Sequence, residues 1–365
     1  RALKPKIKVD GEWQETDWQQ ALQFAVDGIK NNAINPDQLG VLASKHASLE
    51  EFYLMQKLAR KFGSENIDFR LDQTQLSTGS SLESSINLSE IESVDHALII
   101  GSYTRLEQPM INHRIRKAAL DGASVNTMNS KNFDFNFKTK CNALTAPQKL
   151  LSALQSVLKA VHLKTNQDIP NDVSDVSPSE IHNIIADDLI ASENGVIVLG
   201  EHLNSNPNSL AIINLIEKIA SATNLKIANI TISGNSHSAE KANFIPSGNG
   251  LNAISMFNDN TKAFLLMDVD SEYDFIDSKS AQGHFSKEDV FVVALSSFEN
   301  QSTLTSADVI LPMASFYESS GTHINFDGLV QSYSASVKSP GESKPGWKII
   351  KVMADLLDLE GFDYV

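Results

Sequence analysis

The chain has 365 residues, of which 41% are hydrophobic and 21% charged, a composition typical of a globular protein long enough for two domains. Thirty Lys and Arg residues against 45 Asp and Glu residues give a formal net charge of −15, which disfavours nucleic acid as a partner because phosphate backbones are repelled. The single cysteine, Cys141, excludes an intrachain disulfide, a four-cysteine zinc site and an iron–sulfur cluster held by this chain alone.

Short apolar runs alternate along the chain with segments whose apolar residues recur every three or four positions. The apolar runs predict strands over 39–43, 97–100, 124–128, 196–199, 262–269 and 290–295. The periodic segments predict helices over 18–29, 49–62, 110–120, 146–163, 210–221 and 346–357. No apolar run approaches the ~20 residues that cross a bilayer. The alternation predicts the α/β class, with mainly parallel sheets flanked by helices.

Two polar segments are predicted to lack regular structure. Residues 1–15 are interpreted as a linker, because the first ten combine basic side chains with little periodicity. Residues 164–180 are interpreted as a loop, because they hold two prolines and several Asp and Ser residues.

The usual catalytic and metal-binding patterns are missing from the sequence. No two of the nine histidines lie three to five residues apart, so none forms the paired ligands of a helix or hairpin zinc site. There is no Gly-x-Ser-x-Gly nucleophile motif. The stretch 341–346 has the glycine spacing of a phosphate-binding loop, but Trp347 occupies the position where that loop needs lysine.

One glycine pattern resembles a dinucleotide fingerprint. Residues 248–253 read Gly-Asn-Gly-Leu-Asn-Ala, and Asp268 ends a predicted strand further along the chain. However, the three residues before Ser247 end in Pro246 and are too short for the strand that such a fingerprint needs. We therefore interpret 248–253 as a glycine-rich turn and keep a nicotinamide site as the less favoured alternative.

The C-terminal third carries an ordered series of motifs. The series comprises Ala-Asp-Val-Ile-Leu-Pro at 307–312, Glu318, Gly-Thr-His-Ile-Asn at 321–325, Gly-Leu-Val-Gln at 328–331, Pro-Gly-Glu at 340–342 and Trp347. This order and spacing resemble the molybdopterin oxidoreductase family. Weaker matches in the same order lie at 10–22, 58–70, 99–123 and 234–246, so the resemblance spans essentially the whole chain.

The resemblance implies two interleaved α/β domains like the central domains of molybdopterin oxidoreductases. Residues 16–75 plus 233–365 would form the discontinuous domain, and residues 76–232 would form the inserted one. It also implies that the residues on the pterin side of the fold are Gly234, Asn235, Ser236, Gly321, Thr322 and Asn325.

This sequence departs from the family pattern at its functional positions. Asp72 stands where catalytic members place the metal-ligating residue, commonly Cys. Leu329 replaces the Arg of the family's Glu-Gly-Arg triplet, and Asn-Ser-Lys at 129–131 replaces an Asp-Pro-Arg-like turn for nucleotide contacts. We favour Asp72 as a solvated loop residue. The alternative is a catalytic molybdopterin-dependent oxidoreductase with Asp72 as metal ligand.

A chain that has the family motifs but lacks the usual metal ligand resembles one branch of the family. That branch is the large iron–sulfur subunit of NADH–quinone oxidoreductase, or respiratory complex I. That resemblance implies a structural segment without a catalytic residue, cofactor or metal of its own. The iron–sulfur clusters would lie in a segment upstream of Arg1. The implied partners are that segment and the other subunits of the electron-transport complex. The implied location is the cytoplasmic side, peripheral to the inner membrane, without direct insertion into it.

Overall fold

The computed structural model describes residues 1–75, 82–230 and 234–364. Its strands are β1 Lys6–Val9, β2 Glu12–Glu15, β3 Leu39–Ala43, β4 Ile67–Asp68, β5 His96–Ile100, β6 Ser124–Asn129, β7 Cys141–Leu144, β8 Gly195–Leu199, β9 Lys226–Asn229, β10 Ala263–Met267, β11 Phe291–Ser296, β12 Val309–Pro312, β13 Gly321–Ile324 and β14 Val330–Tyr333. Its α-helices are α1 Trp18–Asn32, α2 Leu49–Phe62, α3 Thr104–Glu107, α4 Pro109–Leu120, α5 Leu150–Thr165, α6 Glu180–Ala191, α7 Ser209–Thr223, α8 Ser236–Lys241, α9 Ser278–Phe285, α10 Gln301–Ser306 and α11 Gly346–Leu356.

The chain divides into two compact units, one of them discontinuous in sequence. The first unit comprises Arg1–Gln73 and Gly234–Val365, and the second comprises Thr74–Ser233. The sequence predicts boundaries at 75/76 and 232/233, within two residues of this division. Residues 76, 232 and 233 themselves lie outside the described part of the chain.

The first unit is built on a sheet with the strand order β2-β1-β12-β11-β10-β3-β4. The five strands from β12 to β4 run parallel, with Ala263 of β10 in register with both Leu39 and Phe291. Strands β3 and β10 are buried over their whole length, which is why they appear in the sequence as continuous apolar runs. A separate antiparallel hairpin, β13–β14, belongs to the same unit.

The predicted linker over residues 1–15 is wrong. Strands β1 and β2 form an antiparallel hairpin, and β1 extends the sheet by pairing antiparallel with β12. Asp10 and Gly11 have φ values of 52° and 84°, the left-handed geometry of a two-residue hairpin turn. The strands are held by backbone pairing at a sheet edge, where lysines are common, so apolar periodicity could not reveal them.

Residue types that are common at helix ends begin and end the first two helices of the first unit. Asp17 accepts a hydrogen bond from the backbone N–H of Gln20 at the start of α1. Ser48 begins α2 in a reciprocal capping box with Glu51, and Gly63 ends it at a φ of 103°. The Ser48–Glu51 contacts fix the end of the loop between β3 and α2, which is where the candidate site begins.

The second unit contains an all-parallel sheet with the strand order β7-β6-β5-β8-β9. Most of the predicted loop over 164–180 lacks α-helix, with one 3₁₀ turn at Asn171–Val173, and α6 starts at Glu180. Parallel sheets flanked by helices in both units confirm the predicted α/β class. No helix within the described ranges is both long and apolar enough to cross a membrane.

Candidate functional site

The candidate site lies where the parallel strands of the first unit end. The loop after β3, residues 44–48, approaches the segment around Asn235. The backbone N–H of Asn235 donates to the carbonyl oxygen of Lys45 at 2.6 Å. Its side-chain amide donates to the carbonyl oxygens of Ala47 at 2.8 Å and Thr322 at 3.3 Å, while its Oδ1 accepts from the N–H of Ile324 at 3.0 Å. One buried side chain therefore joins three segments that are distant in sequence.

Gly234 precedes this junction and needs to be glycine. Its φ is 62°, and a Cβ built on it would lie 2.6 Å from the carbonyl oxygen of Lys45 and 2.9 Å from Nδ1 of His46. A side chain here would be strained by the backbone and would collide with the 44–48 loop. Ser236, buried, begins α8 immediately afterwards.

Gly321 and Thr322 begin strand β13 beside the same loop. The N–H and Oγ1 of Thr322 donate to the Glu50 carboxylate at 3.0 and 2.6 Å. A Cβ on Gly321 would lie 2.6 Å from the Tyr333 hydroxyl. The structure thus brings Gly234, Asn235, Thr322 and Gly321 to one edge of the unit.

Asn325 has a different role from the other five predicted residues. Its Oδ1 accepts from the backbone N–H groups of Asp327 at 3.0 Å and Leu329 at 2.9 Å. Asn325 therefore closes the turn of the β13–β14 hairpin. The loss of the family's arginine at Leu329 falls in this turn, where Leu329 is 58% exposed.

Asp72, the alternative metal ligand, is paired with a lysine. Its Oδ2 lies 2.9 Å from Nζ of Lys45, and the two side chains are 38% and 28% exposed. They line a cavity of about 90 Å³, which we call the Asp72 cavity, with further lining residues Ser44, His46, Phe69, Leu71, Tyr273 and Asp274. Burial raises the pKa of the Asp274 carboxyl, against a smaller opposing effect of its backbone hydrogen bond.

The residues around Asp72 do not fit a metal–pterin group. The cavity has room for a few water molecules and is well below the ~300 Å³ at which small-molecule sites begin. The Asp72 carboxylate already has a cationic partner, and the donors of Asn235 and Thr322 are engaged within the protein. No cluster of three or more His, Cys, Asp or Glu residues suited to a metal ion occurs in residues 1–75, 82–230 and 234–364.

The glycine pattern at 248–253 serves the structure of the first unit. No regular strand precedes it and no helix follows it, so the strand–turn–helix of a dinucleotide site is missing from this described segment. The N–H groups of Leu251 and Ala253 donate to the side chains of Asn66 and Asp68. Asp268, the acidic residue of that alternative, accepts from the backbone N–H of Ser297.

Arg70 forms the most deeply buried ion pair among the described residues. Its Nε lies 2.8 Å from Oδ1 of Asp68, and the two side chains are 6% and 0% exposed. The pair supports the turn that carries Asp72, which follows two residues later. Arg70 thus has a structural partner within the chain.

In the second unit, the two remaining sequence candidates also have local roles. The Asn129 side chain accepts from the N–H of Ser102 at 2.9 Å and donates to its carbonyl oxygen at 3.1 Å, joining the ends of β5 and β6. Cys141 is half-buried, and burial raises the pKa of its thiol, which opposes a nucleophilic role.

Sequence reasoning missed a second and larger cavity in the first unit. This aromatic pocket has a volume of about 430 Å³ and is lined by Glu50, Tyr53, Leu54, Ser320, Gly321, Thr322, Ser332, Tyr333, Trp347 and Tyr364. Helix α2, the β13–β14 hairpin and the start of α11 each contribute to it. No local pattern joins four aromatic residues scattered over more than 300 positions, so the sequence offered no signal for this pocket.

The chain is similar to known proteins over nearly its whole length. Residues 1–356 match the family model described as molybdopterin oxidoreductase. The NADH-ubiquinone oxidoreductase 75 kDa subunit of Reclinomonas americana is 23% identical, covering 98% of this chain and 49% of the relative. A relative from Rickettsia bellii, named as a subunit of NADH-quinone oxidoreductase, is 25% identical, covering 99% of this chain and 47% of the relative.

Acetylene hydratase from Pelobacter acetylenicus superposes with a TM-score of 0.77 at 13% identity, covering all of this chain and 62% of that one. The likeness to this solved structure concerns the fold alone. The chain spans about half the length of the curated relatives it matches. Because the family model matches nearly the whole chain, as its motifs predict, the chain belongs to the molybdopterin oxidoreductase family.

Proposed function

We propose that this chain is a structural, cofactor-free segment of a component similar to the large iron–sulfur subunit of NADH–quinone oxidoreductase. Relatives named as subunits of that complex align over 98–99% of the chain, which supports the assignment of the segment to such a complex. Electrons would then pass through iron–sulfur clusters in other parts of the assembly. The segment would support that transfer by packing against the cluster-bearing part and excluding water from it.

The observation that carries the proposal is the Lys45–Asp72 ion pair. In a catalytic member the residue at this position binds the metal, whereas here its carboxylate neutralises a lysine 2.9 Å away. Binding a metal at Asp72 requires displacing Lys45 and enlarging a cavity of about 90 Å³. Both changes oppose the alternative, a catalytic molybdopterin-dependent enzyme with Asp72 as ligand.

The proposed partners are the cluster-bearing segment and the other subunits of the complex. A complex of this kind acts at the inner membrane, so we place the segment on its cytoplasmic side as a peripheral component. The net charge of −15 suits contacts with basic protein surfaces more than with anionic lipid.

Metal and cofactor analysis tests the cofactor-free assignment. The full chain is purified from a host that makes molybdopterin, beside a catalytic family member made in the same cells as the positive control. We expect no molybdenum or tungsten by mass spectrometry and no fluorescent pterin after oxidation. A stoichiometric metal that is lost in an Asp72→Ala variant would overturn the proposal and make Asp72 a ligand.

Affinity purification tests the assignment to the complex. The tagged chain, expressed at its native level in its own organism, should co-purify with NADH–quinone oxidoreductase activity from solubilised membranes. Recovery of the tagged chain apart from every subunit of that complex would contradict the proposed assembly.

A further inference from the structure

The aromatic pocket has walls suited to a positively charged guest. Four aromatic side chains, Tyr53, Tyr333, Trp347 and Tyr364, line it together with the buried side chain of Leu54. The faces of aromatic rings carry negative partial charge and attract cations that approach within about 6 Å. A volume of about 430 Å³ lies in the range of small-molecule sites, ~300–1,000 Å³.

Lysines of the chain lie over three of these rings. Nζ of Lys57 lies 5.9 Å from the ring centre of Tyr53 and 4.8 Å from that of Tyr364. Nζ of Lys348 lies 5.1 Å from the Trp347 ring centre. Lys57 is held in place by hydrogen bonds to the Gly361 carbonyl oxygen and the Tyr364 hydroxyl. The rings are therefore placed where cations meet them.

One acidic side chain, Glu50, lines the pocket. Its carboxylate is held by the two hydrogen bonds from Thr322. Burial raises the pKa of Tyr333 to about 12, and the neighbouring carboxylates of Glu51 and Glu50 contribute to the same shift. Of these causes only the carboxylates would also attract a cation, because burial disfavours either sign of charge.

Tyr333 is also fixed in orientation. Its ring centre lies 4.6 Å from that of Phe316 and 5.1 Å from that of His323. In the part of the chain that the structure describes, its hydroxyl makes no hydrogen bond. A wall that is ordered before binding loses little conformational entropy when a guest enters.

We propose that the aromatic pocket binds a compact organic ammonium ion carrying methyl groups, such as a trimethylammonium group. The apolar walls favour this guest over a primary ammonium, because a quaternary nitrogen has no N–H groups to leave unsatisfied. Glu50 supplies the compensating charge, and the rings supply contact with the methyl groups. This site is separate from the Asp72 cavity and goes beyond the scaffold function proposed above.

Calorimetry on the full chain tests the site with two matched compounds. Choline is the probe, and 3,3-dimethylbutan-1-ol is its uncharged isostere, in which carbon replaces nitrogen. We expect saturable binding of choline with affinity at least about tenfold higher than that of the isostere. Equal affinities, or no saturable binding of choline, would overturn the proposal.

Single substitutions then test whether choline binds in the aromatic pocket. E50Q keeps an acceptor for Thr322 but removes the charge, and should weaken choline binding about tenfold. Lys348→Met removes a competing cation from Trp347 and should tighten binding. The control Tyr273→Leu changes an aromatic residue that is 77% exposed and lies outside the pocket, and should leave the affinity unchanged. Unchanged choline affinity in folded E50Q would contradict the assignment.

A flotation experiment distinguishes two sources of the trimethylammonium group, a lipid head group and a soluble compound. Flotation with phosphatidylcholine vesicles, against phosphatidylglycerol vesicles, detects recognition of a lipid head group. Flotation with phosphatidylcholine identifies the lipid as a source, whereas choline binding without flotation identifies a soluble compound; both results retain the pocket as a cation site.

Discussion

The Asp72 cavity and the aromatic pocket, both in the first unit, use their charged groups in opposite ways. In the Asp72 cavity the charged groups pair with each other, as Lys45 does with Asp72, and about 90 Å³ remains. In the aromatic pocket Glu50 accepts hydrogen bonds from Thr322 and forms no ion pair within the described residues, and about 430 Å³ remains. The difference teaches that two cavities of one unit can hold acidic side chains in different settings, one beside a lysine and one among aromatic rings.

The largest expected effect concerns the buried pair beneath the Asp72 segment. Replacing Arg70 with Met leaves the fully buried Asp68 carboxylate without its cation, so the free energy of unfolding should fall by about 3–5 kcal/mol. Urea denaturation measures the loss. The matched control is Lys287→Met, whose partner Asp259 is 97% exposed, and its loss should be much smaller because solvent screens the pair. Comparable losses in the two variants would contradict this view of the Asp72 segment.

Asn235 links the two regions, because it bonds both the 44–48 loop and strand β13, which lines the aromatic pocket. Asn235→Ala leaves several buried backbone groups unsatisfied and should cost about 2–3 kcal/mol. Choline affinity should fall as well. Asn325→Ala, which loses only the bonds of a hairpin turn, should cost about 1 kcal/mol and retain the affinity. Unaltered choline affinity in Asn235→Ala would show that the regions are independent.

Much of the fold could be predicted because its central elements carry local signals. Strand β3 is a continuous apolar run, and α2 has both its Ser48 cap and its Gly63 stop within the sequence. The hairpin β1–β2 and the two-residue strand β4 escaped prediction because their stability comes from neighbours in the sheet, not from their own side chains.

The site was predicted less completely. Family motifs singled out Asn235 and Thr322 as candidates, but the hydrogen bonds that these residues make join positions 87 to 272 residues apart, which no local pattern encodes. Lys45 as the partner of Asp72 was missed for the same reason. Long-range pairing decides whether an acidic residue is a ligand or a structural group, and only the folded arrangement contains that information.

The buried carboxyl of Glu51 should make the stability of the first unit depend on pH. Burial, with a smaller effect from Asp268 and Glu50, raises its pKa above the ordinary value of 4.5. The unfolded chain therefore loses this proton at lower pH than the folded chain. The stability contribution of Glu51 falls as pH rises from about 4.5 through the raised pKa.

E51Q removes this titration while keeping the side chain able to accept from Ser48. The free energy of unfolding of E51Q, relative to that of the native chain, should rise as pH increases above 4.5. Below pH 4.5 the free energies of the two proteins should converge. Urea denaturation across pH measures the difference, and Glu12→Gln at an exposed position of β2 serves as the control. A flat difference would show that burial of Glu51 costs the folded state nothing.

The smallest expected effect is at Asp72 itself. Asp72→Asn keeps an oxygen that can accept from Lys45 and removes only the charge of a pair that is 38% and 28% exposed. The free energy of unfolding should fall by less than about 1 kcal/mol, and by less still in 1 M salt, because solvent and ions screen such pairs. Choline affinity should be unchanged. A loss above about 2 kcal/mol would mean that the pair is a main stabilising contact of this edge. A small loss would mean that the Lys45–Asp72 pair contributes little to the stability of the unit, as its exposure predicts.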